Sequence, residues 1–342
     1  MEIKHQISLK TFNTFGINVQ ADNFVAIGSF DDLNQAFEHQ LFAHKCLILG
    51  GGSNVLFTGD FAGTIFKNNL KGISILEQDD ATVLIKAASG EIWHDLVMYC
   101  VQNNFAGVEN LSLIPGTVGA APMQNIGAYG VELIDVFESL SAFDVIEGTN
   151  RIFTKEECDF GYRSSVFKTI YKDRYFITDV TLRLSKSPVL NISYGAIKDV
   201  LAEKNIIHPT IKAISDAVIA IRKSKLPDPN ILGNAGSFFK NPEIPESFYL
   251  QLKTTFPEMP GYPTAVGFTK VPAGWLIEQC GWKGKQVGNT GAHKNQALVL
   301  VNYGNATGAE IMQHAFTIQQ SVQEKFGITI VPEVNLISYL VN

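Results

Sequence analysis

The chain has 342 residues, of which 46% are hydrophobic and 18% charged, so it is too apolar to be disordered and long enough for two or three packed domains. Its net charge is −6 and no long basic run occurs, which gives no electrostatic reason to expect nucleic acid or an anionic membrane as the main partner. We therefore expect small-molecule partners. We also expect a monomer, which the charge does not address.

The apolar patterns predict a mixture of helices and strands along the whole chain. In chain order they predict a helix through Leu33, Phe37 and Leu41, strands at 46–49, 55–57 and 82–88, a helix through Ile92, Leu96 and Cys100, strands at 133–145 and 176–184, a helix through Ile211 and Ile221, a strand at 297–301, a helix through Ile311 and Val322, and a strand at 328–331. The predicted architecture is mixed α and β.

Cysteine usage and the chain's first residues bear on metal binding and location. The four cysteines are widely spaced and include no Cys-x-x-Cys pair, so we expect reduced thiols and no metal site. Residues 1–6 lead into no apolar stretch, which predicts a cytoplasmic protein without a secretory signal. The 22 uncharged residues 110–131 include prolines, glycines and amides that lipid would leave unpaired, so we predict no membrane segment.

A glycine-rich turn at residues 50–54 separates the first two predicted strands. A dinucleotide fingerprint would need a third glycine where Val55 stands and a helix directly afterwards, so a Rossmann site is disfavoured. Bare backbone N–H groups in such a turn can hold a diphosphate. Glycine turns between strands are also common without any ligand, and this alternative stays open.

Two further segments have a composition that suits a site better than a core. Residues 114–130 carry no charge but many amide, hydroxyl and glycine groups, as a loop around an anionic cofactor would, although a long structural loop is the alternative. Residues 233–242 combine glycines and amides with Ser237 and Lys240. An ordinary turn before a strand is the alternative there.

A fourth segment, Phe160-Gly161-Tyr162-Arg163-Ser164, lies between the last two of these. The four segments follow the order found in the UDP-N-acetylenolpyruvoylglucosamine reductases, and together they make the chain similar to that family. The resemblance extends from residue 13 to residue 334. It implies a vanillyl-alcohol-oxidase-like FAD-binding fold of two subdomains plus a separate α+β substrate-binding domain. The implied boundaries are 1–67 with a returning strand at 327–342, then 68–218, then 219–326.

The same resemblance implies a reaction and its cofactors. Non-covalent FAD would be reduced by NADPH and would then reduce UDP-N-acetylglucosamine enolpyruvate to UDP-N-acetylmuramate, a peptidoglycan precursor, in a ping-pong sequence. The preference for NADPH comes from the resemblance alone, since no motif indicates a pocket for a 2′-phosphate. An inserted segment at 191–204 places the chain in the longer subclass, in which Tyr194 closes over the substrate.

Three residues match the family's catalytic positions. Arg163 would bind the substrate carboxylate through paired, charge-assisted hydrogen bonds. Ser237 would protonate the carbon that becomes negative when hydride is added, with positioning more important than acidity. Glu333 would donate a hydrogen bond in its protonated form, because burial and a neighbouring carboxylate both raise a carboxyl pKa.

The resemblance also implies the binding contacts. The implied cofactor contacts are Gly50, Gly51, Gly52, Ser53, Asn54, Ile114, Pro115, Gly116, Gly119, Ala120, Gln124, Asn125, Ile126, Gly127, Tyr129, Tyr162 and Arg222. The implied substrate contacts are Tyr194, Lys225, Asn241, Lys283 and Gln296. Residues 221–241 carry four basic side chains against Asp228 alone, a local positive patch that suits a diphosphate in an acidic protein.

Two other functions remain possible at this point. An oxygen-using sugar or alcohol oxidase could be built on the same FAD fold, because a fold does not determine a reaction. A non-catalytic protein that binds a UDP-sugar could retain the loops without turnover. Arg163, Ser237 and Glu333, each in its motif, favour the reductase over both.

Overall fold

The structure is a computed structural model and describes residues 1–187 and 189–337. Within these ranges the strands are β1 (Ile3–Ser8), β2 (Gln20–Ile27), β3 (Cys46–Leu49), β4 (Val55–Phe57), β5 (Phe61–Asn68), β6 (Ile73–Gln78), β7 (Thr82–Ala88), β8 (Gly127–Ala128), β9 (Val131–Glu132), β10 (Phe137–Asp144), β11 (Thr149–Thr154), β12 (Tyr175–Ser185), β13 (Gly233–Ser237), β14 (Glu243–Pro245), β15 (Tyr262–Pro263), β16 (Phe268–Lys270), β17 (Gln286–Val287), β18 (Thr290–Ala292), β19 (Val299–Asn302) and β20 (Asn335–Ile337). The α-helices are α1 (Phe30–Glu38), α2 (Trp93–Gln102), α3 (Gly195–Glu203), α4 (Ile211–Lys225), α5 (Glu246–Thr255), α6 (Ala273–Gln279) and α7 (Gly308–Phe326).

The described chain divides into two compact units. The first comprises residues 1–7, 21–52 and 62–223, and the second comprises residues 8–20, 53–61 and the chain from 224 onward. The three-domain division at 67/68 and 218/219 stays a prediction. Of the returning segment 327–342, the structure places β20, which pairs in parallel with β4, while residues 338–342 lie outside the described residues.

Two sheets organise the first unit. A four-stranded sheet has the order β1-β2-β5-β3, and a five-stranded antiparallel sheet has the order β11-β10-β12-β7-β6. In β7 the apolar residues Val83, Ile85 and Ala87 are fully buried and alternate with half-buried neighbours, which is the period of a strand with one face on the core. The buried Trp93 and Leu96 of α2 belong to the same core.

The second unit contains a sheet of order β13-β19-β18-β17, a smaller sheet of order β14-β16-β15, and the β4–β20 pair. Helix α7 begins with a capping box in which Thr307 and Glu310 bond each other's backbone N–H groups, and it ends at Gly327 in the left-handed conformation. The rings of Phe256, Trp275 and Phe326 contact one another and join the ends of α5 and α7 to α6.

Most predicted elements are confirmed, and four need correction. The strand predicted at 297–301 begins only at Val299, after a turn in which the Val299 N–H donates to the Gln296 carbonyl at 3.0 Å. Strands 46–49, 55–57 and 82–88 have the predicted bounds, and the helices through Leu33, Ile92, Ile211 and Ile311 all form. The helix through Leu33 ends at Glu38, so Leu41 lies in the following 3₁₀ turn. The strand predicted at 133–145 begins only at Phe137, because a capping box between Glu132 and Asp135 folds residues 133–135 into a 3₁₀ turn.

The strand predicted at 328–331 is wrong. Ile328 and Ile330 are buried and alternate with exposed residues, but the segment forms no ladder. The Lys240 N–H donates to the Val331 carbonyl at 2.9 Å, and a single bridge joins Phe239 to Pro332, the residue after the segment. Alternating burial therefore arose here from packing alone.

In the described part of the chain, no helix is long and apolar enough to cross a membrane.

Candidate active site

In the first unit, two glycine-rich loops approach each other at backbone distance. A Cβ on Gly51 would lie 2.8 Å from the Cα of Gly116, and one on Gly50 would lie 2.5 Å from the Thr117 hydroxyl oxygen. A side chain on Gly51 would have to displace the facing backbone, and one on Gly50 would have to displace the Thr117 side chain. Gly52 and Gly116 have φ values of 65° and 112°, which glycine adopts without steric cost. The geometry is that of a backbone cradle, as a diphosphate requires.

Thr117 was missing from the predicted contacts, although it lies within the predicted loop. Its side chain is 6% exposed, and its hydroxyl has no hydrogen-bond partner among the described residues. Buried hydroxyl groups are normally satisfied. An unsatisfied hydroxyl at the meeting point of two glycine loops fits an anionic ligand such as the FAD diphosphate.

The loop continues through residues held in strained conformations. Asn125 and Tyr129 have positive φ values of 43° and 51°, which side chains rarely adopt and which cluster at functional sites. The buried amide of Asn125 donates to Glu132 Oε2 at 2.8 Å and accepts from the Ile134 N–H at 3.0 Å. The remaining predicted contacts on this loop and its neighbours are Ile114, Pro115, Gly119, Ala120, Gln124, Ile126 and Gly127, of which Gln124 accepts from Lys168 Nζ at 3.1 Å.

Arg163 projects from a tight turn onto this loop. Gly161 and Ser164 close the turn with two backbone hydrogen bonds, and Arg163 takes a positive φ of 52° at its tip, beside Tyr162. The guanidinium donates to the Gly127 carbonyl at 2.7 Å and lies 5.5 Å from the centre of the Tyr162 ring. The structure thus brings together the predicted carboxylate-binding arginine and the predicted cofactor loop.

Arg222, Tyr129 and Tyr194 form a second group in the first unit. Arg222 hydrogen-bonds the Tyr129 hydroxyl, and burial lowers the pKa of the guanidinium, a cost that a nearby anion would offset. Its Nε donates to the carbonyl of Leu113 at 3.2 Å. The Tyr129 and Tyr194 rings meet edge to face at 5.2 Å, and Tyr194 is half exposed at the start of α3.

In the second unit, Ser237 stands at an irregularity of strand β13. The pairing with β19 shifts between Asn234 and Ser237, and Gly236 has a φ of 69° there. The buried Asn234 amide fixes this bend by accepting from the Gly236 N–H at 2.9 Å and donating to the Leu232 carbonyl at 2.8 Å. Ser237 is left exposed beside the fully buried Phe238.

Glu333 lies next to this serine strand. Its N–H donates to the Phe238 carbonyl at 2.8 Å, and its own carbonyl accepts from Asn54 Nδ2 at 3.4 Å. The Asn54 carbonyl accepts in turn from the N–H of Asn335 at 3.0 Å. The structure therefore brings the predicted residues Ser237, Glu333 and Asn54 together in one unit.

The predicted substrate contacts occupy less uniform surroundings. The Asn241 side chain accepts from the Ala273 N–H at 2.9 Å and so caps helix α6. The Gln296 side chain faces Gly274, which lies in the first turn of that helix. Lys283 is an exposed residue paired with Glu278 at 2.8 Å.

Lys225 is placed by two residues that sequence reasoning missed. The buried His293 hydrogen-bonds the backbone of Lys225, and Asn295 Nδ2 donates to the Ser224 carbonyl at 3.1 Å. Both partners lie some seventy residues away, and no local pattern connects them to this lysine. Across 1–187 and 189–337 we find no group of three or more His, Cys, Asp or Glu side chains that could hold a metal ion.

Comparison with known proteins identifies the class. Residues 23–154 match the FAD binding domain family, and residues 228–337 match the C-terminal domain of UDP-N-acetylenolpyruvoylglucosamine reductase. The UDP-N-acetylenolpyruvoylglucosamine reductase of Flavobacterium johnsoniae is 51% identical over 98% of this chain and 100% of its own length. That of Pseudomonas aeruginosa is 46% identical over 98% and 99%.

A solved structure agrees in fold. The UDP-N-acetylenolpyruvylglucosamine reductase of Thermus caldophilus superposes with a TM-score of 0.68, at 22% identity, over 98% of this chain and 99% of that one. The protein is a flavin-dependent oxidoreductase of mixed helix and strand content with an FAD-binding domain, and FAD is its cofactor. The chain belongs to the UDP-N-acetylenolpyruvoylglucosamine reductase family.

Proposed function

We propose that the protein reduces UDP-N-acetylglucosamine enolpyruvate to UDP-N-acetylmuramate for peptidoglycan synthesis, with NADPH as the hydride donor and the two substrates visiting one site in turn. One observation carries this proposal. The exposed hydroxyl-bearing residue Ser237 and the carboxyl-bearing residue Glu333 lie on backbones joined through Phe238, as a pair serving one reacting carbon would require. The family and its FAD-binding domain support the rest.

Bound FAD, once reduced, supplies the hydride for the terminal carbon of the enol ether. The adjacent carbon then becomes negative and shares its charge with the substrate carboxylate. We assign Arg163 to that carboxylate, since a guanidinium matches its geometry with two parallel N–H donors and stays charged. Its tight turn and left-handed backbone orient it from a rigid support.

The negative carbon must receive a proton, and Ser237 is the donor in this proposal. The bend fixed by Asn234 turns the serine out of the regular strand, so its hydroxyl can meet a ligand without losing a strand partner. A carbanion is a far stronger base than an alkoxide, so a well-placed serine suffices as the acid. Glu333 would donate a hydrogen bond to the developing charge.

The diphosphate and the nucleotide need cations and amides. Lys225 is exposed on a backbone held by His293, and Asn241 is fixed by its bond to α6. We assign these two, together with Tyr194, to the diphosphate, and Lys283 and Gln296 to the nucleotide end.

Anaerobic stopped flow tests the whole proposal. The flavin is bleached with NADPH, UDP-N-acetylglucosamine enolpyruvate is added, and the return of flavin absorbance is followed. Rapid return without oxygen is the expected result. If only oxygen restores the colour, the substrate assignment is wrong and an oxidase gains support. If NADPH does not bleach the flavin while NADH does, only the donor assignment is wrong.

A further inference from the structure

Residues 89–94 lead into helix α2 and form its start. They hold residues 111–119, where the cofactor loop begins. Five hydrogen bonds join them: Trp93 Nε1 to the Leu111 carbonyl (3.0 Å), the Leu113 N–H to His94 Nδ1 (3.0 Å), the Trp93 N–H to the Gly116 carbonyl (3.0 Å), the Val118 N–H to the Glu91 carbonyl (2.9 Å) and the Gly119 N–H to the Ser89 carbonyl (2.8 Å). In four of them both partners are backbone groups or the Trp93 indole, whose protonation does not change with pH. The fifth depends on a histidine.

That fifth bond acts on Leu113, a residue with a strained backbone conformation. Leu113 has a φ of 59°, in the left-handed region that a leucine rarely occupies. Both polar groups of its backbone are bound by side chains, since its N–H donates to His94 and its carbonyl accepts from Arg222 Nε at 3.2 Å. Such a conformation persists only when its surroundings over-determine it.

The position of Leu113 decides where the glycine cradle lies. Gly116 follows three residues after Leu113. It approaches Gly51 so closely that a Cβ added to Gly51 would lie 2.8 Å from the Gly116 Cα. If Leu113 relaxed to an ordinary conformation, the chain direction into Gly116 would change and the two glycine backbones would separate. Neither His94 nor Leu113 belongs to the contacts that the family resemblance implies.

We propose that His94 is a positioning residue for FAD, and that its unprotonated Nδ1 holds the Leu113 peptide in the left-handed turn that sets the cofactor loop. His94 touches neither cofactor nor substrate in this role. It acts through the loop.

The role requires a neutral imidazole. Burial lowers the pKa of His94, and the positive charges of Arg222 and Lys223 on α4 lower it further, while Asp95 on its own helix opposes them. These are the charged groups that face it. At neutral pH the ring therefore accepts the Leu113 N–H. As the pH falls below the ordinary histidine value of 6.5, protonation removes the acceptor and releases the loop.

The test is the rate of FAD release from the diluted holoenzyme, followed by the fluorescence of free flavin. His94→Asn places an amide oxygen near the position of Nδ1, whereas His94→Gln places it near Nε2 and His94→Leu removes the acceptor. Loss of a bond to this partly buried N–H should make FAD release from the Gln and Leu variants at least about tenfold faster. His94→Asn should stay within about threefold of the native rate, and the exposed His208→Leu serves as the matched control.

A pH series separates positioning from general destabilisation. Release from the native protein should accelerate as the pH falls below about 6.5 toward about pH 5, while His94→Asn should remain flat over that range. Native release rates in His94→Leu, or release from His94→Asn as fast as from His94→Leu, would overturn the proposal. If His94→Leu does not fold, an undiminished pH dependence in His94→Asn overturns it. No substrate enters this assay, so its outcome is independent of the proposed reaction.

Discussion

The N–H of Glu333 donates to the carbonyl of Phe238 at 2.8 Å, which anchors the glutamate to the residue that follows Ser237. A backbone bridge between Phe239 and Pro332 extends the same contact. Neither bond involves the serine side chain. The hydroxyl of Ser237 can therefore be removed while the backbone that presents it keeps its support.

Ser237→Ala should abolish proton donation and leave flavin reduction intact. General acids contribute about 10²- to 10⁴-fold, so we expect the step that consumes UDP-N-acetylglucosamine enolpyruvate to slow by at least about a hundredfold. Bleaching of the flavin by NADPH should keep its native rate. Anaerobic stopped flow measures the two half-reactions separately, with the exposed Ser74→Ala as the control. A comparable loss in both half-reactions would remove Ser237 from its assigned role.

Gly51→Ala should expel FAD. The added Cβ would lie 2.8 Å from the Gly116 Cα, which cannot move aside as a flexible side chain would, and overpacking of this kind costs about 1–3 kcal/mol. Purified Gly51→Ala should carry less than about a tenth of the native flavin absorbance per protein. Gly195→Ala is the matched control, because nothing lies within 4 Å of its Cβ and it begins helix α3. Full flavin content in Gly51→Ala would show that the cradle tolerates a side chain.

How far the sequence predicted the structure depends on the range of the interactions involved. Strand β7 and helix α7 had the expected form because their apolar periodicity is local and their burial follows it. The strand predicted at 328–331 did not form because a ladder needs a partner, and Ile328 and Ile330 are buried without one. Periodicity reports burial and says nothing about pairing.

The same contrast between local patterns and contacts with remote residues holds for the candidate site. The resemblance indicated the cofactor loop and Ser237, since glycines and amides in those motifs are visible in the sequence. It did not indicate Thr117, His94 or His293, whose significance comes from contacts with remote residues. A threonine, a helix-start histidine and a strand-end histidine carry no local signal of function. Only the fold gives the two histidines their partners and leaves the buried Thr117 hydroxyl without one among the described residues.

The cysteines should react slowly in the folded protein. Burial raises the pKa of Cys46 to about 11 and that of Cys100 and Cys158 to about 12. Since the thiolate is the reactive form, labelling by an aromatic disulfide at about pH 8 should be at least about a hundredfold slower than for free cysteine. Denaturant should release all four thiols for rapid reaction. Fast labelling of Cys100 in the native protein would contradict its buried position.

Asp144→Asn should destabilise the protein and remove part of its acid sensitivity. Burial raises the pKa of Asp144, but the hydrogen bonds from Arg174 and from the Ile146 and Glu147 N–H groups together outweigh it and leave the pKa below 3.8. An amide would turn a donor toward the guanidinium. We expect a loss of about 1.5–3 kcal/mol in the free energy of unfolding at neutral pH.

The sign of the pH dependence follows from the lowered pKa of Asp144. The carboxylate's contribution is fully present above 3.8, the unfolded value, and is lost as the pH falls toward the lower folded value, because only the unfolded chain binds the proton in that interval. The native protein should therefore exceed Asp144→Asn by a constant margin down to about pH 5, and the margin should shrink below about pH 4. Urea unfolding across this range measures it, with the exposed Asp80→Asn as the control. A margin that stays constant to about pH 3 would mean that the carboxylate charge contributes nothing and that the variant loses stability through packing alone.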